Sequence, residues 1–235
     1  MPRSRDRPQL ELRGLRRRGG VQGAVLVLNG STCAELRRAK VLATSLSDRC
    51  LTVAVDGGLE TCIAARRTPD LFVGDGDSAR SVPDDLPAVL YDENKDFSDL
   101  VGALRELRRR EVQVVAVGGL LGGRVDHEWS NLFELGGHAR HFAGFVAPTE
   151  RGLVIVTGHG CRMTTAQRRT VSLFALGAAA TVSLGGTRWE LARRRLRPGS
   201  HGLSNLTGAH LDLTVHTGTV ALVLLPARRI SPRIV

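Results

Sequence analysis

The sequence predicts an α/β protein: an N-terminal, mostly parallel α/β sandwich followed by a C-terminal all-β sandwich. Three observations carry this reading. Between residues 21 and 135, short continuous apolar runs alternate with stretches whose apolar residues recur at helical spacing, the pattern of a parallel sheet covered on both faces. Each apolar run there ends in Gly, Asp or Asn. Beyond about residue 145 the helical period disappears, and strand-like runs separated by Gly-rich turns take its place.

The elements follow in order. Val21–Leu28 reads as a buried strand ending at Asn29-Gly30, and Ala34–Leu46 as a helix with Leu36, Ala39, Ala43 and Leu46 on one face. Leu51–Val55 is a second buried strand, ending at Asp56-Gly57-Gly58, and Leu59–Ala65 a short helix. Leu71–Val73 is a third strand, delivered to Gly74-Asp75. Leu100–Leu107 is helical, Val112–Val117 is a strand ending at Gly118-Gly119, and His127–Leu135 is a helix stopped by Gly136-Gly137. The β half holds strands at Val154–Thr157, Thr170–Phe174, Ala180–Leu184, Leu211–Val215 and Val220–Leu224. The expected organisation is a disordered basic tail over 1–20, an α/β catalytic domain over 21–145 and a β-sandwich domain over 150–228.

Of the 235 residues 42% are hydrophobic, and the formal net charge is +10. Seven arginines against Asp6 and Glu11 give residues 1–18 a charge of +5, half of the total. Lys40 and Lys95 are the only lysines, so a general arginine-for-lysine bias accounts for the basicity without a nucleic-acid partner. The four cysteines (Cys33, Cys50, Cys62, Cys161) form no CxxC or zinc spacing, and the first apolar run is too short to span a membrane. A reduced, cytoplasmic protein is expected.

Four constellations carry chemistry. Asp75-Gly76-Asp77-Ser78 places two carboxylates after a strand, where they can converge on a hard cation such as magnesium. A polar turn with Asp77 as a cap is the structural alternative. Lys95-Asp96-Phe97-Ser98-Asp99 leads into a helix, with Asp96 or Ser98 as N-cap; alternatively Asp96 and Asp99 complete a carboxylate cluster with Asp75 and Asp77. Gly118–Gly123 followed by Arg124-Val125-Asp126-His127 is a glycine-rich strand-to-helix turn. Its backbone N–H groups and Arg124 suit phosphate, and His127 and Asn131 share one helix face. Asp56-Gly57-Gly58 permits close ligand approach at a strand end. In the β half, Trp189 is either a core residue or a stacking surface for a flat heteroaromatic ring. The acidic set as a whole points to a magnesium–nucleotide site for phosphoryl or pyrophosphoryl transfer.

In their order along the chain these motifs resemble the thiamine pyrophosphokinase family. The matching residues are Asp56-Gly57-Gly58, Pro69-Asp70, Val73 to Ser78, Lys95 to Asp99, Gly122 to His127 with Asn131, Gly186 to Leu191, and Gly202 to Asn205. The likeness spans roughly residues 21–226. It implies a homodimer with sites at the subunit interface, and pyrophosphate transfer from ATP to thiamine, giving AMP and thiamine diphosphate. It implies magnesium at Asp75, Asp77 and Asp99, with Asp96 beside them. Asp56, Gly57, Gly58, Ser78, Ser98, Arg124, Asp126, His127 and Asn131 then fall on the nucleotide side. Trp189, Ser204 and Asn205 fall on the thiamine side. Gly76 stands where an aromatic is common, Ser98 where threonine is common, and Leu206 where a polar residue is frequent. A pyrophosphokinase of another heteroaromatic alcohol, such as a hydroxymethylpterin, is the alternative enzyme; a non-catalytic thiamine diphosphate or nucleotide sensor is the alternative binder.

Overall fold

The computed structural model describes residues 10–16, 20–76 and 82–226. Six parallel strands form its α/β half: β2 (Gln22–Val27), β3 (Arg49–Val55), β4 (Leu71–Gly74), β5 (Ala88–Leu90), β6 (Val114–Gly118) and β7 (Gly144–Thr149). They lie in the order β5-β4-β3-β2-β6-β7. The chain therefore builds outward from β2 on one side and returns to its other side at β6. In such open sheets the crevice at that reversal, beyond the carboxyl ends of the strands, is the ligand position.

Alternation along each strand sends side chains to two cores. Leu26, Val53, Val55, Val73 and Val117 pack with Leu100, Leu104 and Leu107 of helix α3 (Asp99–Arg109). Val25, Val27, Ala54, Phe72 and Ala116 pack with Leu36, Ala39 and Ala43 of α1 (Cys33–Leu46), and with Leu59 and Cys62 of α2 (Gly58–Ala64). Helix α1 starts at a capping box in which Thr32 Oγ1 accepts from the Glu35 N–H (3.1 Å) and Glu35 accepts from the Thr32 N–H (3.2 Å).

The β half adds β8 (Gly152–Thr157), β9 (Gly160–Thr164), β10 (Thr170–Thr187), β11 (Leu191–Leu196) and β12 (Asn205–Leu224). Strand β8 pairs antiparallel with β7, so the sheet runs unbroken from the α/β half into the β half. The register of β10 on β12 falls from Val223 opposite Ser172 to Leu213 opposite Leu184, the pairing of oppositely directed strands. These strands close a third core containing Leu173, Val182, Leu184, Leu211, Leu213 and Leu222.

The basic tail expected to be disordered over 1–20 instead contributes a strand, β1 (Leu10–Leu12), paired antiparallel with β9. Leu12 is buried in the third core, and Arg13 Nη2 donates to Asp212 Oδ1 at 2.6 Å. An apolar anchor and an ion pair fix this segment, which charge counting alone cannot reveal. Among the described residues no helix is long and apolar enough to cross a membrane.

Candidate active site at the carboxyl edge of the parallel sheet

Because β2 to β6 are parallel, the turns that follow them gather at one edge. Asn29-Gly30-Ser31 follows β2, Asp56-Gly57-Gly58 follows β3, Asp75-Gly76 follows β4, and Gly119–Gly123 follows β6. Glycine is required where these turns meet. A Cβ on Gly58 would overlap the Val27 carbonyl oxygen, and one on Gly119 would come within 2.8 Å of the Ser31 nitrogen. Gly119 also takes φ +80°. Asp56 itself adopts φ +47°, and its N–H donates to the Val73 carbonyl at 2.9 Å, which ties this turn to β4.

Asp75 and Asp99 are brought together by a lysine. Lys95 Nζ donates to Asp75 Oδ2 at 2.9 Å and lies 3.1 Å from Asp99 Oδ1. All three side chains are largely covered, at 9%, 12% and 20% exposure for Lys95, Asp75 and Asp99. The Lys95–Asp99 contact is an ion pair without hydrogen-bond angles, so Asp99 Oδ1 stays buried with no hydrogen-bond partner, as does Asp56 Oδ1. Burial pushes the Asp99 carboxyl above the usual carboxylate range. Lys95 offsets part of this, while the charges of Asp75 and Asp56 add to it. Burial acts to lower the Lys95 ammonium, but its contacts with the Asp75 and Asp99 carboxylates outweigh that and hold it above the ordinary lysine value.

The remaining acidic and hydroxyl positions divide. Asp77 and Ser78 lie outside the described residues. Asp96 is exposed and makes no ion pair among the described residues, so Lys95 rather than Asp96 sits between the two carboxylates. Ser98 is the N-cap of α3, its hydroxyl accepting from the Val101 N–H at 3.3 Å, which places Asp99 in the first turn. Among the described residues no group of three His, Cys, Asp or Glu is arranged around a metal position. The donor chemistry nonetheless suits magnesium: two buried carboxylate oxygens without hydrogen-bond partners are hard ligands.

The glycine-rich turn leads into α4 (Val125–His138). Arg124 grips Asp126 through Nε (3.1 Å) and Nη2 (2.6 Å), and both side chains are exposed. The Gly122 N–H donates to the Glu128 carboxylate. A carboxylate thus occupies a loop donor of the kind that serves phosphate. His127 is exposed and Asn131 half-buried on the same helix.

In the β half Trp189 is 54% exposed, with the Arg188 guanidinium 4.8 Å from its ring centroid. Asn205, expected to contact substrate, is buried, and its amide is spent internally. Its Oδ1 accepts from the Trp189 N–H (3.1 Å) and the Leu206 N–H (2.8 Å); its Nδ2 donates to Thr187 Oγ1 (3.1 Å) and the Trp189 carbonyl (2.7 Å). Asn205 therefore holds the Trp189 segment in place. Ser204 is exposed at φ +59°, with its N–H donating to Ser172 Oγ at 3.1 Å. Lys95, placed in a motif but not among the site residues by sequence, is the group that reading missed. Its signals were its scarcity and its place at the head of the Lys95-to-Asp99 motif.

Fold and site together define an α/β protein with an acidic ligand edge, joined to a β half that presents an aromatic platform. Residues 42–142 match the family model described as thiamin pyrophosphokinase, catalytic domain. Among solved structures the chain is similar to thiamine pyrophosphokinase from Bacillus subtilis, with TM-score 0.71 and 16% identity, covering 87% of this chain and 100% of that one. It is similar to thiamin pyrophosphokinase from Geobacillus thermodenitrificans, with TM-score 0.66 and 19% identity, covering 89% and 99%. Thiamin pyrophosphokinase from Candida albicans aligns with TM-score 0.66 and 12% identity, covering 88% and 92%. A comparison with curated proteins finds no match.

Proposed function

We propose that this chain is a thiamine pyrophosphokinase, transferring pyrophosphate from magnesium–ATP to the hydroxyl of thiamine to give thiamine diphosphate and AMP. The observation that carries the reading is the covered Asp75–Lys95–Asp99 contact at the carboxyl edge, in the segment that matches the family's catalytic domain. On this reading Asp75, Asp77 and Asp99 hold magnesium, with Asp56 adjoining. Magnesium held there would supply charge neutralisation for the transferred phosphates.

The protein's own groups do the rest. Arg124 exchanges Asp126 for a phosphate oxygen through the same planar fork, and the Gly122 N–H exchanges Glu128 for another. His127 and Asn131 line the nucleotide side of α4. Trp189 offers its face to the thiamine ring, set at its angle by Asn205, with Ser204 beside it. One aspartate of the Lys95–Asp99 motif, Asp99 or Asp96, accepts the hydroxyl proton as the oxygen attacks the β-phosphorus. Catalysis is then mainly positioning and electrostatics.

The same reading makes the protein a cytoplasmic homodimer. Val125, Trp129 and Phe133 form an exposed apolar stripe on α4, at 68%, 63% and 55% exposure, beside Arg124 and His127. A second copy over this helix would cover the stripe and wall the nucleotide side. The deciding experiment is incubation of the purified protein with magnesium, ATP and thiamine. Equimolar AMP and thiamine diphosphate are expected. Turnover only with a pterin alcohol would reassign the acceptor, and binding without turnover would make the chain a sensor.

A further inference from the structure

The amino ends of the parallel strands, at the opposite edge of the sheet from the acidic site, carry a second feature. A hollow of about 590 Å³ opens there, lined by Arg16, Arg49, Arg108, Arg140 and His141, together with Asp48 and Glu111. That volume suits a small ligand. We propose that this hollow is a binding site for a small polyphosphate anion, distinct from the nucleotide site and independent of the reaction proposed above.

Four separate segments converge to make it. Arg16 comes from the N-terminal segment, which Gln113 clamps from both sides: Oε1 accepts from the Arg16 N–H (2.6 Å) and Nε2 donates to the Arg16 carbonyl (3.0 Å). Arg49 opens β3, Arg108 lies in the last turn of α3, and Arg140 and His141 follow α4. Cations in the last turn of a helix complement its dipole, which accounts for Arg108 without any ligand. It does not account for Arg16 and Arg49, which sit on no helix.

The charge is not neutralised internally. Among the described residues Arg16, Arg49 and Arg108 make no ion pair, and Arg140 donates only to the Gly218 carbonyl (3.1 Å). Asp48 is engaged by the Val21 N–H at 2.7 Å. Four guanidiniums against Asp48 and Glu111 leave a net positive hollow. Burial first, then repulsion from Arg108 and His138, hold the His141 imidazole below its ordinary value. An anion with one charge gains little against two resident carboxylates. Several linked phosphate charges can engage guanidiniums from several segments at once.

The test is titration of the full-length protein with tripolyphosphate, without magnesium, followed through the His141 ring proton resonance, assigned by its loss in His141→Asn. A saturable shift and a rise in the His141 pKa are expected. Arg49→Gln/Arg108→Gln should weaken the apparent affinity at least about tenfold while retaining the wild-type melting profile. Asp75→Asn, which alters the other edge, should leave the titration unchanged. Three results would each overturn the proposal: a stationary His141 resonance, equal affinity in the double variant, or an equal response to orthophosphate at matched ionic strength.

Discussion

The ammonium of Lys95 stands 2.9 Å from the carboxylate of Asp75, joining the turn after β4 to the residues that lead into α3. Through its second contact, at 3.1 Å to Asp99, one cation holds together the two described carboxylates proposed as magnesium ligands. The charge repulsion of an acidic site is thus met within the chain itself.

Lys95→Met removes that cation and leaves Asp75 and Asp99 facing each other in a covered site. A hydrogen bond to a charged group contributes about 2 kcal/mol, so the melting temperature in chelator should fall by roughly 4–8 °C. Added magnesium should recover much of the loss, because a divalent ion neutralises the same pair. Thermal melts of both proteins with chelator and with magnesium check this. An equal deficit under both conditions would show that Lys95 serves packing alone.

The four motif aspartates should not behave alike. Asp75→Asn removes a carboxylate that Lys95 grips, and should nearly abolish formation of AMP and thiamine diphosphate while the circular dichroism spectrum stays native. Asp96 is exposed and unpaired among the described residues, so Asp96→Asn should retain most activity and shift stability by less than about 0.5 kcal/mol. Product formation by both variants under saturating substrates decides this; comparable losses would return Asp96 to the reacting centre.

Asn205 acts through Trp189. Asn205→Ala breaks four hydrogen bonds, two of them to the Trp189 backbone. At about 0.5–1.5 kcal/mol each, the loss of stability is roughly 2–4 kcal/mol after partial solvation. The variant should raise KM for thiamine more than it lowers kcat. In a Trp129→Phe background, acrylamide quenching of Trp189 should also increase. Unchanged quenching together with a raised KM would mean that Asn205 touches the acceptor directly.

Much of the fold was legible because buried parallel strands are continuous apolar runs, as in Ala24–Leu28 and Val114–Val117. What escaped were edge strands that carry no continuous apolar run. Strand β11 reads as charge, Arg193-Arg194-Arg195, because among the described residues it pairs only with β10 and turns its arginines to solvent. Strand β5 is three residues at the sheet edge, of which Ala88 and Leu90 are exposed. At the site, the spacing of Asp75 and Asp99 suggested convergence, but the roles of neighbours were not separable by pattern. Ser98 became a cap, Asp96 faced solvent and Lys95 turned inward, and only side-chain direction distinguishes them. Asn205 shows the same limit, since a polar residue next to a ligand motif reads alike whether it touches ligand or backbone.

The N-terminal strand should be released by acid. Burial works to raise the Asp212 carboxyl, but its hydrogen bonds and charge contacts with Arg13 and Arg162 prevail and hold it below the usual carboxylate range. A carboxylate depressed in the folded state adds stability above its unfolded pKa of about 3.9. That stability is lost as pH falls through the lower, folded value. The bond from Arg13 Nη2 to Asp212 Oδ1 is part of what ties β1 to the sheet, alongside the backbone pairing with β9 and burial of Leu12. Below about pH 4, amide exchange at Leu10–Leu12 should accelerate ahead of the β2 and β3 cores. Asp212→Asn should show the faster exchange already at neutral pH, with little further acid dependence below about pH 4. If Leu10–Leu12 exchange in step with the whole sheet at every pH, β1 is held by Leu12 burial and strand pairing rather than by the Arg13–Asp212 contact.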